Sequence, residues 1–298
     1  MNFMKLKFGF MGISLMLVLI SIGLLIGVGF NPSIDFTGGS LLEVEFNNQI
    51  PNDETIRNVV SEKTGVQPAA IQTSEGNRII IKLDTINQEQ ATSVVSEFSN
   101  ITEQEVRELR FETIGPVLGQ ELLRKTLIAV ILASLFIMGY VAWVFKNAIY
   151  GLSAILAMFH DTLILLGAFV LLGKLYGVEV DSLFVTAVLT TLSFSVHDTV
   201  VVYDRIRESK RKYPRASLVE IANKSITETL PRSLNNSMTI IFMLTALLLL
   251  GGTSIKWMSA ALLLGTILGT YSSPFVAVPL LVTIQEWRVN RAKIKGKK

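Results

Sequence analysis

Six stretches of roughly twenty or more mostly apolar residues run through this chain, and that is the length a helix needs to cross a hydrocarbon core of about 30 Å. They are Phe8 to Gly29, Thr126 to Phe145, Ile149 to Leu172, Ser182 to Tyr203, Ser233 to Gly251 and Ile255 to Ile284. Lipid offers the backbone no hydrogen-bond partners, so such stretches must close their own bonds as helices. Half of the 298 residues are hydrophobic and only 17% are charged, a balance that argues against an ordinary soluble enzyme. The first stretch is too long, and lacks the small-residue cleavage pattern, for a removed signal peptide, so it is expected to remain as an anchor. Cysteine is absent, which rules out disulfide and thiol chemistry.

Positive charge is distributed unevenly along the chain, and the unevenness predicts orientation. Lys5 and Lys7 precede the first span, Lys146 separates the second from the third, and Arg205, Arg207, Lys210, Arg211, Lys212 and Arg215 follow the fourth. Arg288, Arg291, Lys293, Lys295, Lys297 and Lys298 end the chain. Threading six helices alternately puts all of these on one side, so both termini are expected in the cytoplasm. The basic clusters read as topology signals that also touch anionic lipid rather than as a nucleic-acid surface. The expected organisation is a first helix at 1–30, an outward domain at 31–123, a five-helix region at 124–287 with a basic loop at 204–228, and a basic tail at 288–298.

The outward segment alternates between two periodicities. Ser40 to Phe46, Ile71 to Ser74, Arg78 to Leu83 and Val106 to Ile114 read as strands, while Asp53 to Lys63 and Asn87 to Phe98 read as helices with Ile56, Val59, Val60 and Val94, Val95, Phe98 on single faces. The order βαββαβ predicts an α+β ferredoxin-like domain, attached to a membrane α-helical bundle. It carries no metal-ligand cluster, phosphate-cradling loop or nucleophile triad, so binding or mechanical work is expected rather than enzymatic catalysis, with no cofactor and no metal.

Charge inside the spans is the functional signal. The two histidines of the chain both occur as His-Asp-Thr, at His160-Asp161-Thr162 and His197-Asp198-Thr199, and Arg232 opens the fifth span. An ionisable group at mid-bilayer costs about 2.5–3.5 kcal/mol on insertion scales, so such groups mark proton or ion pathways. Asp198 lies five residues, about 7.5 Å, before Tyr203, and Arg232 enters its helix at a similar depth. Ser195, Asp198, Thr199 and Val202 share one helical face; Arg232, Asn235, Asn236 and Thr239 share another. Two polar stripes that cannot face lipid are expected to face each other, with Asp198 and Arg232 as the coupling pair. Burial favours the protonated acid and a nearby guanidinium favours the carboxylate, so relative movement of the pair would drive proton uptake and release. For Asp161 a relay role and a packing role both stay open, and His160 is expected to partner it only indirectly, because neighbouring residues on a helix point in different directions. Asp204 is expected in an ion pair with Arg205 or Arg207 at the membrane edge.

Asp35-Phe36-Thr37-Gly38-Gly39 and Gly115-Pro116 mark the two junctions of the outward domain and read physically as tight turns. Gly23 and Gly27, and Gly265 and Gly269, form small-xxx-small pairs suited to close helix packing. Pro231 is expected near a helix start, and Pro274 and Pro279 are expected to bend the last span.

In order, Asp35-Phe36-Thr37-Gly38-Gly39, Ile114-Gly115-Pro116, His197 through Glu208 (HDTVVVYDRIRE) and Thr229-Leu230-Pro231-Arg232-Ser233 resemble the SecF family, related to the resistance-nodulation-division transporters. The resemblance runs from the first span to the last. It implies a subunit that works with SecD, using the proton motive force to promote late steps of preprotein movement through the SecYEG channel after SecA has acted. It places the family's key acidic residue on Asp198 and its essential arginine on Arg232. Asp161, His160, Ser195, Thr199, Asn235 and Asn236 become the candidate proton path. A small-molecule exporter half of the same superfamily is the nearest alternative. An intramembrane aspartyl protease fits poorly, because its Gly-x-Gly-Asp element is absent, and a passive scaffold leaves the polar stripes without a purpose.

Overall fold

The computed structural model describes residues 3–74, 76–145 and 147–295; the topology signals at Lys146, Lys297 and Lys298 lie outside them. Six helical runs are long and apolar enough to cross a membrane: Phe3–Gly27, Pro116–Phe145, Ala148–Tyr176, Ser182–Lys212, Leu218–Leu250 and Ser254–Val289. The chain divides into two compact units, one of residues 32–128 and the other of residues 1–31 with 129–298.

The first unit is built on a four-stranded antiparallel sheet. Its strands are β1 (Gly39–Phe46), β2 (Ala70–Ser74), β3 (Arg78–Leu83) and β4 (Val106–Ile114), lying in the order β2-β3-β1-β4. Isoleucines in alternation along β3 bury Ile79 and Ile81 opposite Val44 and Leu42 of the central β1. The crossover helices α3 (Asp53–Thr64) and α4 (Gln88–Thr102) cover that apolar face with Ile56, Val59, Val60 and Ala91, Val94, Phe98. Local chemistry sets their ends: Asn52 caps α3 and Gly65 closes it at φ 75°, while Asn87 and Gln90 form a reciprocal capping box on α4.

The junction into β1 is the single helical turn α2 (Ile34–Thr37), capped by the Ser33 side chain. It is followed by Gly38 at φ 74° and Gly39 at φ 117°, backbone states that residues with a Cβ rarely adopt. A Cβ on Gly38 would stand 2.7 Å from Pro116 Cα, and one on Gly119 would stand 2.8 Å from Gly38 N. The Asp35 to Gly39 segment therefore packs backbone to backbone against the Gly115-Pro116 return.

In the second unit the helices are α1 (Lys7–Gly27, preceded by a 3₁₀ turn at Phe3–Leu6), α5 (Pro116–Phe145), α6 (Ala148–Tyr176), α7 (Ser182–Lys212), α8 (Leu218–Leu250), α9 (Thr253–Ser272) and α10 (Val278–Lys295). A π-helical turn at Ser273–Ala277, with Pro274 in its first turn, joins α9 to α10. Helix α7 packs most extensively on α9, α9 also on α8, and α6 against α1 and α7. Small residues permit this closeness: Cβ atoms on Gly265 and Gly269 would collide with Thr191 and Ser195 of α7, and one on Gly167 would collide with Ser21 of α1. Gly23 and Gly27 have nothing packed against them.

Helix α8 starts well before its apolar stretch. Ser217 and Glu220 make a capping box, so Pro231 and Arg232 lie inside the helix and not at its entrance. The expectation that Pro231 begins a helix is corrected by that earlier start.

Candidate functional site

Helix caps fix the phase of the helices that carry the buried polar groups. Asn147 accepts from the Ile149 amide at the head of α6, and Asp181 accepts from the Phe184 amide at 2.7 Å at the head of α7. Where α6, α7 and α9 meet, Asp161 is 1% exposed, and its Oδ2 accepts from Ser195 Oγ of α7 and Ser272 Oγ of α9, both at 2.6 Å. Its Oδ1 lies 2.8 Å from His160 Nδ1. The expectation of only indirect contact is thus overturned: helical spacing separates Cβ directions, yet side-chain torsions still close the gap. His160 Nε2 is buried without a partner among the described residues.

One turn along α7 the same pattern continues. Thr199 Oγ1 lies 2.9 Å from Ser273 Oγ and donates to the Ser195 carbonyl. Tyr203, fully buried, reaches Ser153 Oγ of α6 at 2.7 Å and the Ala277 carbonyl oxygen of the π turn at 2.9 Å. Its ring meets Tyr150 and Phe145 edge-on, with centroids 5.2 and 5.7 Å apart. Gly265 and Gly269 let α9 come close enough for Ser272 to reach Asp161, so the packing glycines and the polar cluster are one arrangement.

Asp198 differs from Asp161. It is 3% exposed, yet its Oδ2 has no hydrogen-bond partner among the described residues. A buried carboxylate oxygen left unpaired carries an uncompensated desolvation cost, which makes Asp198 the group most sensitive to gaining or losing a proton.

The expected meeting with Arg232 is not made within this chain. No hydrogen bond or ion pair joins the two among the described residues, and Arg232, Asn235, Asn236 and Thr239 are all exposed. Helix α8 turns Ser233 and Ser237 inward instead, where Thr270 of α9 donates to Ser237 Oγ at 2.7 Å. The stripe of α7 is covered by α6, α9 and the π turn, and the stripe of α8 lies exposed among the described residues. Arg232 lines a cavity of about 430 Å³ with Asp204, Arg205, Glu208 and Glu228. There Arg205 pairs with Glu228 at 2.6 Å and with Glu208 at 2.5 Å. Asp204 forms no ion pair among the described residues, contrary to expectation, because Arg205 is already held by these two glutamates.

Sequence reasoning reached His160, Asp161, Ser195, Asp198 and Thr199 but missed Ser153, Tyr203, Ser272 and Ser273. The pair Ser272-Ser273 immediately before Pro274, inside an otherwise apolar span, was the available signal. No cluster of three or more metal-ligating side chains occurs among the described residues.

A six-helix bundle that buries carboxylates and hydroxyls while leaving a charged stripe open defines a multi-pass membrane protein of transporter type. Comparison with known proteins sharpens that class. Residues 94–287 match the family described as protein export membrane protein SecD/SecF, C-terminal, and residues 23–50 match the SecD/SecF GG motif, which contains Gly38 and Gly39. The protein translocase subunit SecF of Anaerolinea thermophila is 37% identical over 296 residues, covering 97% of this chain and 96% of that one. The protein translocase subunit SecDF of Brucella abortus is 34% identical, covering 94% of this chain and 36% of that one. The crystal structure of SecDF, a translocon-associated membrane protein from Thermus thermophilus, superposes with a TM-score of 0.84 at 32% identity, covering 96% of this chain and 39% of that one. This chain belongs to the SecD/SecF family of protein export membrane proteins, at the full length of a SecF relative and about two fifths of the length of a SecDF chain.

Proposed function

We propose that this protein is the SecF half of a proton-driven export complex in a bacterial cell membrane. It acts with a SecD partner to promote late steps of preprotein movement through SecYEG after SecA has acted. One observation carries the reading: Asp198 is buried in a membrane-spanning helix with one carboxylate oxygen that has no hydrogen-bond partner among the described residues, while Asp161 has both oxygens engaged. Proton binding at Asp198 changes the charge of a closely packed element. Each proton moved through 100 mV releases about 2.3 kcal/mol, enough to bias motions whose end states differ by a few kcal/mol.

The exposed stripe of Arg232, Asn235, Asn236 and Thr239 supports a partner that supplies its cover, since such groups are costly against lipid. Relatives in which the two halves are one SecDF chain favour SecD as that cover. In this reading Arg232 acts on the proton cycle across the interface and through rearrangement, and both termini lie in the cytoplasm. The outward domain is a split ferredoxin-like unit, a reading supported by its βαββαβ element order and by the β2-β3-β1-β4 sheet. It serves binding or mechanical work.

The test is Asp198→Asn in the assembled complex. Gradient-dependent stimulation of export is expected to fall at least about tenfold, a change worth about 1.4 kcal/mol, with SecD still copurifying. Unchanged stimulation sinks the assignment. Drug accumulation without precursor accumulation in a deletion strain would instead favour the small-molecule exporter.

A further inference from the structure

The basic end of α7 carries cations that the rest of the described chain does not neutralise. Arg205 is held by Glu208 and Glu228, but no ion pair among the described residues engages Arg207, Arg211 or Lys212. Those three wall a cavity of about 590 Å³ together with Asp204 and Glu208. Asp204 and Glu208 also wall the 430 Å³ cavity beside Arg232, whose lining includes the apolar side chains Val144, Phe145, Val200 and Val201. Val200 in turn walls a third cavity, of about 350 Å³, where Phe136, Ile137 and Tyr140 of α5 meet Ser193, Val196 and His197 of α7. A charged recess thus opens onto a mainly apolar groove between α5 and α7. In the recess Arg205 and Arg232 join the three cations above, and Glu228 joins Asp204 and Glu208, which leaves two positive charges in excess.

Depth decides what such a recess can hold. Arg207 lies four residues past Tyr203, about 6 Å along the helix, and its Nη1 donates to the Val144 carbonyl at the end of α5 at 3.3 Å. The headgroup layer on each side of a hydrocarbon core is about 5–8 Å deep, so this guanidinium stands at the level of lipid phosphates. Arg211 and Lys212 lie about a turn further out. Side chains tilt toward the N-terminus of their helix, and α7 reaches the basic side by its C-terminal end, so both lean back toward the bilayer.

We propose that the basic ends of α5 and α7 hold an anionic phospholipid, with its phosphate between Arg207, Arg211 and Lys212 and one acyl chain in the groove beneath, against Val144, Val200 and Val201. The excess of positive charge selects an anionic headgroup over a zwitterionic one, and guanidinium forks match phosphate oxygens in pairs. The apolar walls directly below require a hydrocarbon chain, which neither inorganic phosphate nor an acidic peptide supplies. Tyr140, Ser193 and His197 mark the far end of the groove, so the near, valine-lined half takes the chain. Asp204, the one acid of the recess outside the Arg205 pairs, offers an acceptor to a headgroup hydroxyl, and a glycerol headgroup carries such donors.

The protein, extracted in a mild detergent with its partner attached and washed free of lipid, would be offered phosphatidylglycerol, phosphatidylcholine or inorganic phosphate, and retained lipid counted by native mass spectrometry. Phosphatidylglycerol is expected to bind at least about tenfold more tightly than phosphatidylcholine and to resist displacement by inorganic phosphate. Arg207→Gln with Arg211→Gln and Lys212→Gln is expected to weaken its binding at least about tenfold, while Arg288→Gln with Arg291→Gln, on the last helix, leaves it unchanged. Val200→Trp fills the groove without altering charge and is expected to weaken retention by a similar factor; it decides the matter should the triple variant fail to accumulate. Wild-type retention in either the triple variant or Val200→Trp overturns the proposal. So does an equal loss in the Arg288 and Arg291 control, which would mean attraction to surface charge alone. Equal retention of the two lipids would also overturn it, and ready displacement by inorganic phosphate would leave a bare anion site in its place.

Discussion

Asp161 accepts from two serine hydroxyls and contacts an imidazole, so at its position a carboxylate is held by three helices at once. Hydrogen bonds to a charged group are worth about 1.5–3 kcal/mol each, which makes this side chain a clamp between α6, α7 and α9. Asp161→Ala should lower the melting temperature of the detergent-solubilised complex, and Ser195→Ala with Ser272→Ala should lower it as well, since both remove the two serine contacts. Asp198→Asn should leave melting nearly unchanged, because an amide at an oxygen without a partner forfeits no bond. Tyr203→Phe removes the hydroxyl's bonds to Ser153 and the Ala277 carbonyl and should cost about 1–3 kcal/mol in the same measurement. The two aspartates were legible in the sequence because charge in an apolar stretch is rare. Their different uses were not, since Ser195, Ser272 and Ser273 resemble any small residue in a span until packing brings them together.

Helix ends and helix contacts follow rules that the sequence displays unevenly. The box formed by Ser217 and Glu220 is a local signal for the start of α8, but hydropathy alone places that start near Ser233, where the apolar stretch begins. The strands and helices of residues 32–128 were legible in the sequence, their strands to within about a residue, while α4 runs four residues past the expected end at Phe98. Periodicity also identified the stripe of α8 correctly as one face, but a face does not name its neighbour, and α9 took the opposite side. Two predictions belong here. Gly38→Ala places a Cβ at φ 74° against Pro116, and should cost at least about 1–2 kcal/mol, read as faster proteolysis of the sheet-bearing unit in membranes. Deleting one residue of the π turn should rotate α10 by about 100° against α9, moving the fully buried Leu281 and Val282 out of the bundle and abolishing accumulation of the folded protein.

Taken whole, the bundle is well buried only around α6, α7 and the last span, with α1, α5 and α8 leaving most of their surface uncovered. Apolar side chains such as Phe136 and Trp143 on α5, 74% and 75% exposed, can rest against lipid. Arg232, Asn235 and Asn236 cannot do so cheaply. The unit of residues 32–128 has a self-contained core, in which Phe98→Ala should cost about 3–5 kcal/mol, measurable as protease sensitivity of that unit with the membrane part intact. A copy synthesised without a mate meets the bilayer with three polar side chains in a row on α8, and such a surface is what membrane quality control removes. In the proposed complex the supply of this subunit is rationed by its companion: raising its gene dosage alone should shorten its half-life in a pulse-chase rather than increase the number of working complexes.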